Sequence, residues 1–169
     1  MLERMTNATR ILGLDPGLRR TGWGVIAVEG SRLSWVAHGV IAPNDKAPFS
    51  ERLLALFQGV CSIVAEHSPD EAAIEETFVN VNAASTLKLG HARAAALIAP
   101  AQAGLTVAEY APSEVKKAVV GRGGADKAQV AFMIRRLLPA CGNATADAAD
   151  ALAVAIAHAH SRRRLGAVA

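Results

Sequence analysis

Four acidic residues stand where carboxylates can act together on a cation. Asp15 ends the apolar run Ile11-Leu-Gly-Leu14 and is followed at once by the turn punctuation Pro16-Gly17. Glu75 ends a second short strand, Glu71 to Glu75, and Asp147 and Asp150 lie three apart on a C-terminal helix, hence on one face of it. Two strand-end acids and a helical acid pair repel one another unless cations neutralise them. With oxygen as the sole donor the natural ion is Mg²⁺ or Mn²⁺. Two such ions can turn water into a nucleophile and stabilise the leaving oxygen of a phosphodiester. The plainer readings are that Asp15 opens an Asp-Pro-Gly turn and that the helical pair faces solvent. Ala146, Ala148, Ala149, Ala151, Leu152, Val154 and Ile156 weigh against the latter, because charges are seldom buried unpaired.

The elements that must carry these residues follow from periodicity. Ile11 to Leu14, Thr21 to Val28 and Leu33 to Ile41 read as three consecutive strands, the second bounded by Gly22 and Gly24. Leu53, Leu54, Leu56, Phe57, Val60, Ile63 and Val64 recur at helical spacing between Pro48 and Pro69. The Glu75 strand comes next, then an alanine-rich helix from Ala83 to Ala99 that Pro100 is expected to end, and a fifth strand from Thr106 to Tyr110. Helices over Ser113 to Val120, Asp126 to Leu138 and Ala144 to Arg164 close the chain, with the loop Gly121-Arg-Gly-Gly124 between the first two. Hairpin strands followed by strand-helix alternation predict an α/β fold with a five-stranded mixed sheet flanked by helices.

Bulk properties agree with one domain of 169 residues, 51% hydrophobic and 20% charged, large enough to bury a core unaided. Eighteen Lys and Arg against 15 Asp and Glu give a net charge of +3, a weak lean towards a polyanionic partner. Placement is sharper: Lys116, Lys117, Arg122, Lys127, Arg135, Arg136 and Arg162-Arg-Arg164 all fall in the last third. Part of this set would be an ordinary solvated helix face and a basic tail. Cys61 and Cys141 lack disulfide or zinc spacing, as expected of reduced thiols in the cytoplasm. No apolar run reaches membrane-spanning length, and the first ten residues lack the apolar stretch of a signal peptide.

Six ordered blocks carry a resemblance: Leu-Gly-Leu-Asp15-Pro-Gly, Ala73-Ile-Glu75, Leu87-Lys-Leu-Gly-His-Ala-Arg93, Glu114-Val-Lys116-Lys-Ala-Val-Val-Gly121, Ala125-Asp-Lys127-Ala-Gln-Val130 and Ala146-Asp147-Ala-Ala-Asp150-Ala-Leu. From about Ile11 to the end of the last helix the chain closely resembles the RuvC crossover-junction endodeoxyribonucleases, the bacterial Holliday-junction resolvases. The resemblance implies a ribonuclease-H-like fold, a homodimer, two divalent ions per active site, and paired symmetric cuts across a four-way DNA junction. It places the catalytic, metal-binding tetrad on Asp15, Glu75, Asp147 and Asp150. Glu76 follows Glu75, and strand alternation points the two to opposite faces; Glu75 is chosen because it follows Ala-Ile as the family's acid does. The resemblance also implies that Phe78 stacks on unpaired bases, although a lone Phe is usually core. Lys116 and Lys127 match lysines that approach the scissile phosphate, and Lys117 and Arg122 join them on the DNA side. A branch-migration complex of the RuvA–RuvB type is the suggested partner. Residues 1–9 form a short extension without an assigned role.

Three other readings compete. Another ribonuclease-H-like nuclease, acting on RNA or single strands, would use the same acids without a dimeric junction surface. A non-catalytic nucleic-acid-binding module is disfavoured because four carboxylates repel phosphate unless a metal is present. A sugar-kinase-like or actin-like ATPase needs two such domains, and the length supplies one.

Overall fold

Strand alternation decides which side of the sheet each acid faces. The computed structural model describes residues 8–76 and 81–166, the last four of these by backbone alone. Three antiparallel strands lead, β1 (Thr9–Asp15), β2 (Thr21–Glu29) and β3 (Arg32–Ile41), followed by α1 (Phe49–His67), β4 (Glu71–Glu75) and α2 (Ala83–Gln102). Then come β5 (Val107–Tyr110), α3 (Pro112–Val120), α4 (Lys127–Leu137), a 3-10 turn over Pro139–Cys141 and α5 (Ala146–Gly166). The strand order is β3-β2-β1-β4-β5, with β1 antiparallel to β2 but parallel to β4, and β4 parallel to β5. This is the mixed five-stranded sheet expected from the sequence.

Two apolar layers cover the two faces. Leu12, Leu14, Val25, Ala72 and Ile74 pack against α1 and α2, while Ile11, Ile26 and Ala73 pack against α3, α4 and α5. Because side chains alternate with period two, Asp15 shares the face of Ile11, and Glu75 that of Ala73. Both acids therefore point to the side that α5 occupies. Leu152, Val154 and Ile156 of α5 are fully buried there.

Three glycines let α5 lie almost directly on the strands. A Cβ at Gly13 would stand 2.2 Å from the Ala151 carbonyl oxygen, one at Gly22 would stand 1.9 Å from that of Asp147, and one at Gly24 would stand 2.6 Å from the Leu152 side chain. Gly22 pairs with Asp15 across the β1–β2 ladder, and Gly13 with Gly24. The close approach thus runs along the line that ends at Asp15. At its other end α5 is held by polar contacts: the Tyr110 hydroxyl lies 2.8 Å from His158 Nδ1, and His158 Nε2 and Arg162 Nε meet the same Glu71 carboxylate oxygen at 2.7 and 2.8 Å.

The end of α2 differs from expectation for a physical reason. Pro100 does not end α2, which runs on to Gln102 with the proline inside it. Proline removes one N–H and crowds the preceding turn, but here only the last turn remains. That turn is held by bonds from the Ala103 and Leu105 N–H groups to the carbonyls of Ala99 and Pro100, at 3.3 and 3.0 Å. Gly104, at φ +82°, supplies the reversal that stops the chain.

Candidate active site

β1 and β4 are parallel neighbours with Leu14 beside Ile74, so Asp15 and Glu75 finish side by side. α5 brings its acids to the same end. Thr145 fixes its first turn, the hydroxyl accepting from the Ala148 N–H at 3.4 Å and the carbonyl from the Ala149 N–H at 2.8 Å. Asp147 falls in that turn, where a negative charge is favoured by the helix dipole, and Asp150 comes one turn later.

The lysines are set by two further helix starts. α3 opens at Pro112, and the Glu114 carboxylate accepts from the Ala111 N–H at 2.7 Å. α4 opens with reciprocal bonds between Asp126 and Gln129, at 2.8 and 3.0 Å, which leave Lys127 in its first turn. Asp15, Glu75, Asp150, Lys116 and Lys127 together line one cleft whose apolar walls are Pro112, Val115, Val130 and Ala153. Glu76 is exposed.

The cleft is short of positive charge. Burial pushes Asp15 up to about 7, and repulsion from Glu75, Asp150 and Asp147 adds to it against the pull of Lys127. Glu75 is raised by burial and then by Asp150, with Lys116 and Lys127 opposing. Asp150 is raised by burial, Lys127 counteracting it and Asp147 reinforcing it. Each ionised carboxylate is costly where it stands, and a cation among them relieves desolvation and repulsion together. The donors are all carboxylate oxygens, which suits a hard divalent ion.

Among the described residues no group of three or more His, Cys, Asp or Glu side chains is arranged to hold one ion. Two of the four acids are engaged by the chain's own cations. Arg20 Nε donates to Asp147 Oδ2 at 2.8 Å, and Lys127 Nζ lies 3.6 Å from Asp150 Oδ2. Arg20 is the residue that reading the sequence missed. Its signal was available in its place just after the Asp-Pro-Gly turn, at the foot of β2, but the partner is 127 positions away.

The remaining predicted residues divide. Lys117, next to Lys116 on α3, lines a separate cavity with Tyr110, Glu114, Ala118 and His160. Arg122 is exposed in the loop after Gly121, whose φ of +92° ends α3. Phe78 lies outside the described residues. Since Asp15 and Glu75 face α5 and Glu76 does not, Glu75→Gln is expected to abolish metal-dependent activity, whereas Glu76→Gln keeps most of it. Equal losses in a single-turnover assay of the two variants would show that the strand register does not select the acid.

Comparison with known proteins gives a consistent result. The family described as crossover junction endodeoxyribonuclease RuvC matches residues 11–158. The chain is 71% identical over 154 residues to the crossover junction endodeoxyribonuclease RuvC of Caulobacter vibrioides, covering 91% of each. To that of Maricaulis maris it is 68% identical over 159 residues, covering 94% of this chain and 95% of the relative. Among solved structures, Thermus thermophilus RuvC superposes with a TM-score of 0.84 at 33% identity, covering 92% of this chain and 96% of that one. A structure described as Thermus thermophilus RuvC in complex with Holliday junction substrate matches at the same TM-score and 34% identity, with the same coverage. The yeast mitochondrial Holliday junction resolvase Ydc2 shares the fold at a TM-score of 0.67 and 12% identity, over 94% of this chain and 82% of that one.

Proposed function

The chain belongs to the RuvC family of crossover junction endodeoxyribonucleases, and from that membership we propose that it resolves four-way DNA junctions by paired, symmetric hydrolysis of two phosphodiester bonds. The observation that carries the reading is the convergence of Asp15, Glu75 and Asp150 with Lys116 and Lys127 on one cleft. Asp15, Glu75, Asp147 and Asp150 are the residues that would hold divalent ions, Mg²⁺ or Mn²⁺, two per site. Such ions supply Lewis acidity and lower the pKa of water at the scissile phosphate. The chain's own part is positional: the rigid strand ends hold two carboxylates, the first turns of α5 present the other two, and Lys116 and Lys127 draw the phosphate towards them. Val115, Val130 and Ala153 keep the inner wall of the cleft dry, which strengthens each of these charges.

Four-way junctions have a two-fold axis, and an isologous dimer would offer one cleft to each of two equivalent strands. α2 supplies a surface for it. Ala92, Ala96 and Ala99 are buried against the chain's own core, whereas Ala84, Leu87, Ala94 and Ile98 form an outward stripe at helical spacing, with Leu87 65% and Ile98 54% exposed. Placing glutamate at both Leu87 and Ile98 is expected to give a monomer in sedimentation that nicks junctions without resolving them. A wild-type dimer from that variant would move the interface elsewhere. Among the described residues no helix is long and apolar enough to cross a membrane, and action in the cytoplasm, with a branch-migration complex as partner, completes the reading.

The deciding experiment supplies Mg²⁺ with a labelled four-way junction or a linear duplex of the same sequence. Paired cuts in the junction are expected, with little cleavage of the duplex and an affinity that falls steeply with salt through counterion release. Equal cleavage of both would favour a general nuclease.

A further inference from the structure

Arg20 follows Asp15 on a short, pinned turn and reaches Asp147. The Thr21 hydroxyl, fully buried, accepts from the Gly17 N–H at 3.1 Å and donates to the Gly17 carbonyl at 2.8 Å, closing the turn that joins Asp15 to β2. Arg20 is therefore delivered to a fixed place by the same strand end that presents Asp15. Gly22, two residues on, lies under the Asp147 backbone, which brings α5 within reach of the guanidinium. The resulting pair is half open to solvent, with the arginine side chain 56% and the aspartate side chain 35% exposed. It involves one nitrogen, Nε, so the rest of the fork remains able to contact another anion.

Lys127 makes a different kind of contact. Its Nζ is 3.6 Å from Asp150 and it lines the cleft beside Asp15, Glu75 and Asp150. Neither Arg20 nor Asp147 is among the residues that line that cleft; Arg20 meets the one acid of the four outside its lining. An arginine at 2.8 Å neutralises Asp147 and competes for the same oxygen with any ion that Asp147 is to ligate. Once an ion takes the oxygen, the two positive charges repel and the guanidinium must turn away. It is then a free, flexible cation beside a cleft that receives a polyanion, and Arg suits phosphate through its planar fork.

We propose that Arg20 is an exchangeable counter-ion: it occupies Asp147 before metal enters, and afterwards contacts a phosphate of the bound strand next to the scissile one. This rests on the nuclease reading for its second half but not for its first. The consequence is a coupling of metal loading to DNA binding through one side chain. Metal entry frees the arginine for phosphate, and phosphate capture of the arginine removes the competitor from Asp147.

The test uses the full-length protein and the variants Arg20→Gln and Arg20→Lys. The first arm titrates Mn²⁺ into protein without DNA, followed by calorimetry or by the loss of the free-ion resonance signal. Arg20→Gln should bind Mn²⁺ several-fold more tightly than wild type, and Arg20→Lys should stay near wild type. Unchanged affinity in Arg20→Gln, or the same tightening in both variants, overturns the proposal. The second arm measures junction binding with EDTA and with Ca²⁺, with strand integrity verified. Arg20→Gln should bind the junction as wild type does with EDTA and several-fold more weakly with Ca²⁺. An equal loss under both conditions would make Arg20 an ordinary phosphate contact and overturn the exchange. If the protein fails to cut junctions at all, the nuclease reading falls while the Mn²⁺ arm still decides the counter-ion.

Discussion

Asp15→Asn is expected to lower junction cleavage by about a thousandfold or more, the equivalent of the several kcal/mol that metal-ion charge stabilisation contributes to a transition state. The substitution is isosteric and removes the charge that Glu75, Asp150 and Asp147 all oppose. It should therefore also stabilise the metal-free protein. Asp15 titrates in the folded chain near 7, above its ordinary value of 3.8, so its contribution to stability is fully present below pH 4 and is lost as pH rises through 7. At pH 8 the wild type carries an ionised, desolvated carboxylate that the variant lacks, a difference of about 2 kcal/mol after allowance for relaxation of the neighbouring acids. Thermal melts in EDTA at pH 5 and pH 8 check this: the variant should gain mainly at pH 8, and addition of Mn²⁺ should raise the melting temperature of the wild type alone. Cleavage at the wild-type rate, or a variant less stable at pH 8, would remove Asp15 from the metal site. Junction binding should persist, because a negative charge beside the phosphate has been removed.

Gly22→Ala should be among the most damaging single substitutions outside the acids. The new Cβ would sit 1.9 Å from the Asp147 carbonyl oxygen and 2.4 Å from its carbon, both backbone atoms of a buried helix that cannot rotate away. Relief requires moving α5 off β2, which opens the interface of Leu152, Val154 and Ile156. Overpacking of this kind costs about 3 kcal/mol or more, a fall of about 10 °C in melting temperature for a chain of this size. The control is Gly124→Ala, whose Cβ meets nothing within 4 Å and which should melt with the wild type. If Gly22→Ala proves equally stable, α5 is not seated on the strand as described. Should the variant fold, displacement of Asp147 and Asp150 from Asp15 predicts weakened Mn²⁺ binding as well.

Much of this was legible in the residues. The short apolar runs Ile11 to Leu14 and Ala72 to Ile74 marked the strands and their acidic ends, and a period of two set Glu75 and Glu76 on opposite faces; because both faces of these strands are apolar, which of them each acid shares with α5 had to come from the structure. The spacing of Asp147 and Asp150 and the apolar run around them placed a buried acidic helix. Pro100 misled because a breaker read locally ignores the bonds that Ala103 and Leu105 make back across it. Arg20 was missed for a different reason: its place after the turn could be read, but an ion pair between distant positions leaves no periodicity to reveal the partner. Lys116 and Lys117 carried the same local signal, and only the 100° turn of α3 between neighbours sends one to the acids and the other to a separate cavity. Gly22 and Gly24, which bound a strand in the sequence and are residues that permit close approach, gave no sign that the element seated on them is α5, far downstream in the chain.

That α5 is both the last of the described elements and the partner of the first two strands has a consequence for synthesis. Asp147 is 132 residues downstream of Asp15, an interval of roughly ten seconds on a ribosome adding 5–20 residues per second. Throughout it, the groove of Gly13, Gly22 and Gly24 has nothing to seat, and the sheet lacks the helix that covers one of its faces. Nascent chains therefore contain the strand-end acids without the helical ones, and the apolar sheet face that α5 later covers is still open to water. If the four acids act together as proposed, the site is complete only when α5 closes over the first hairpin.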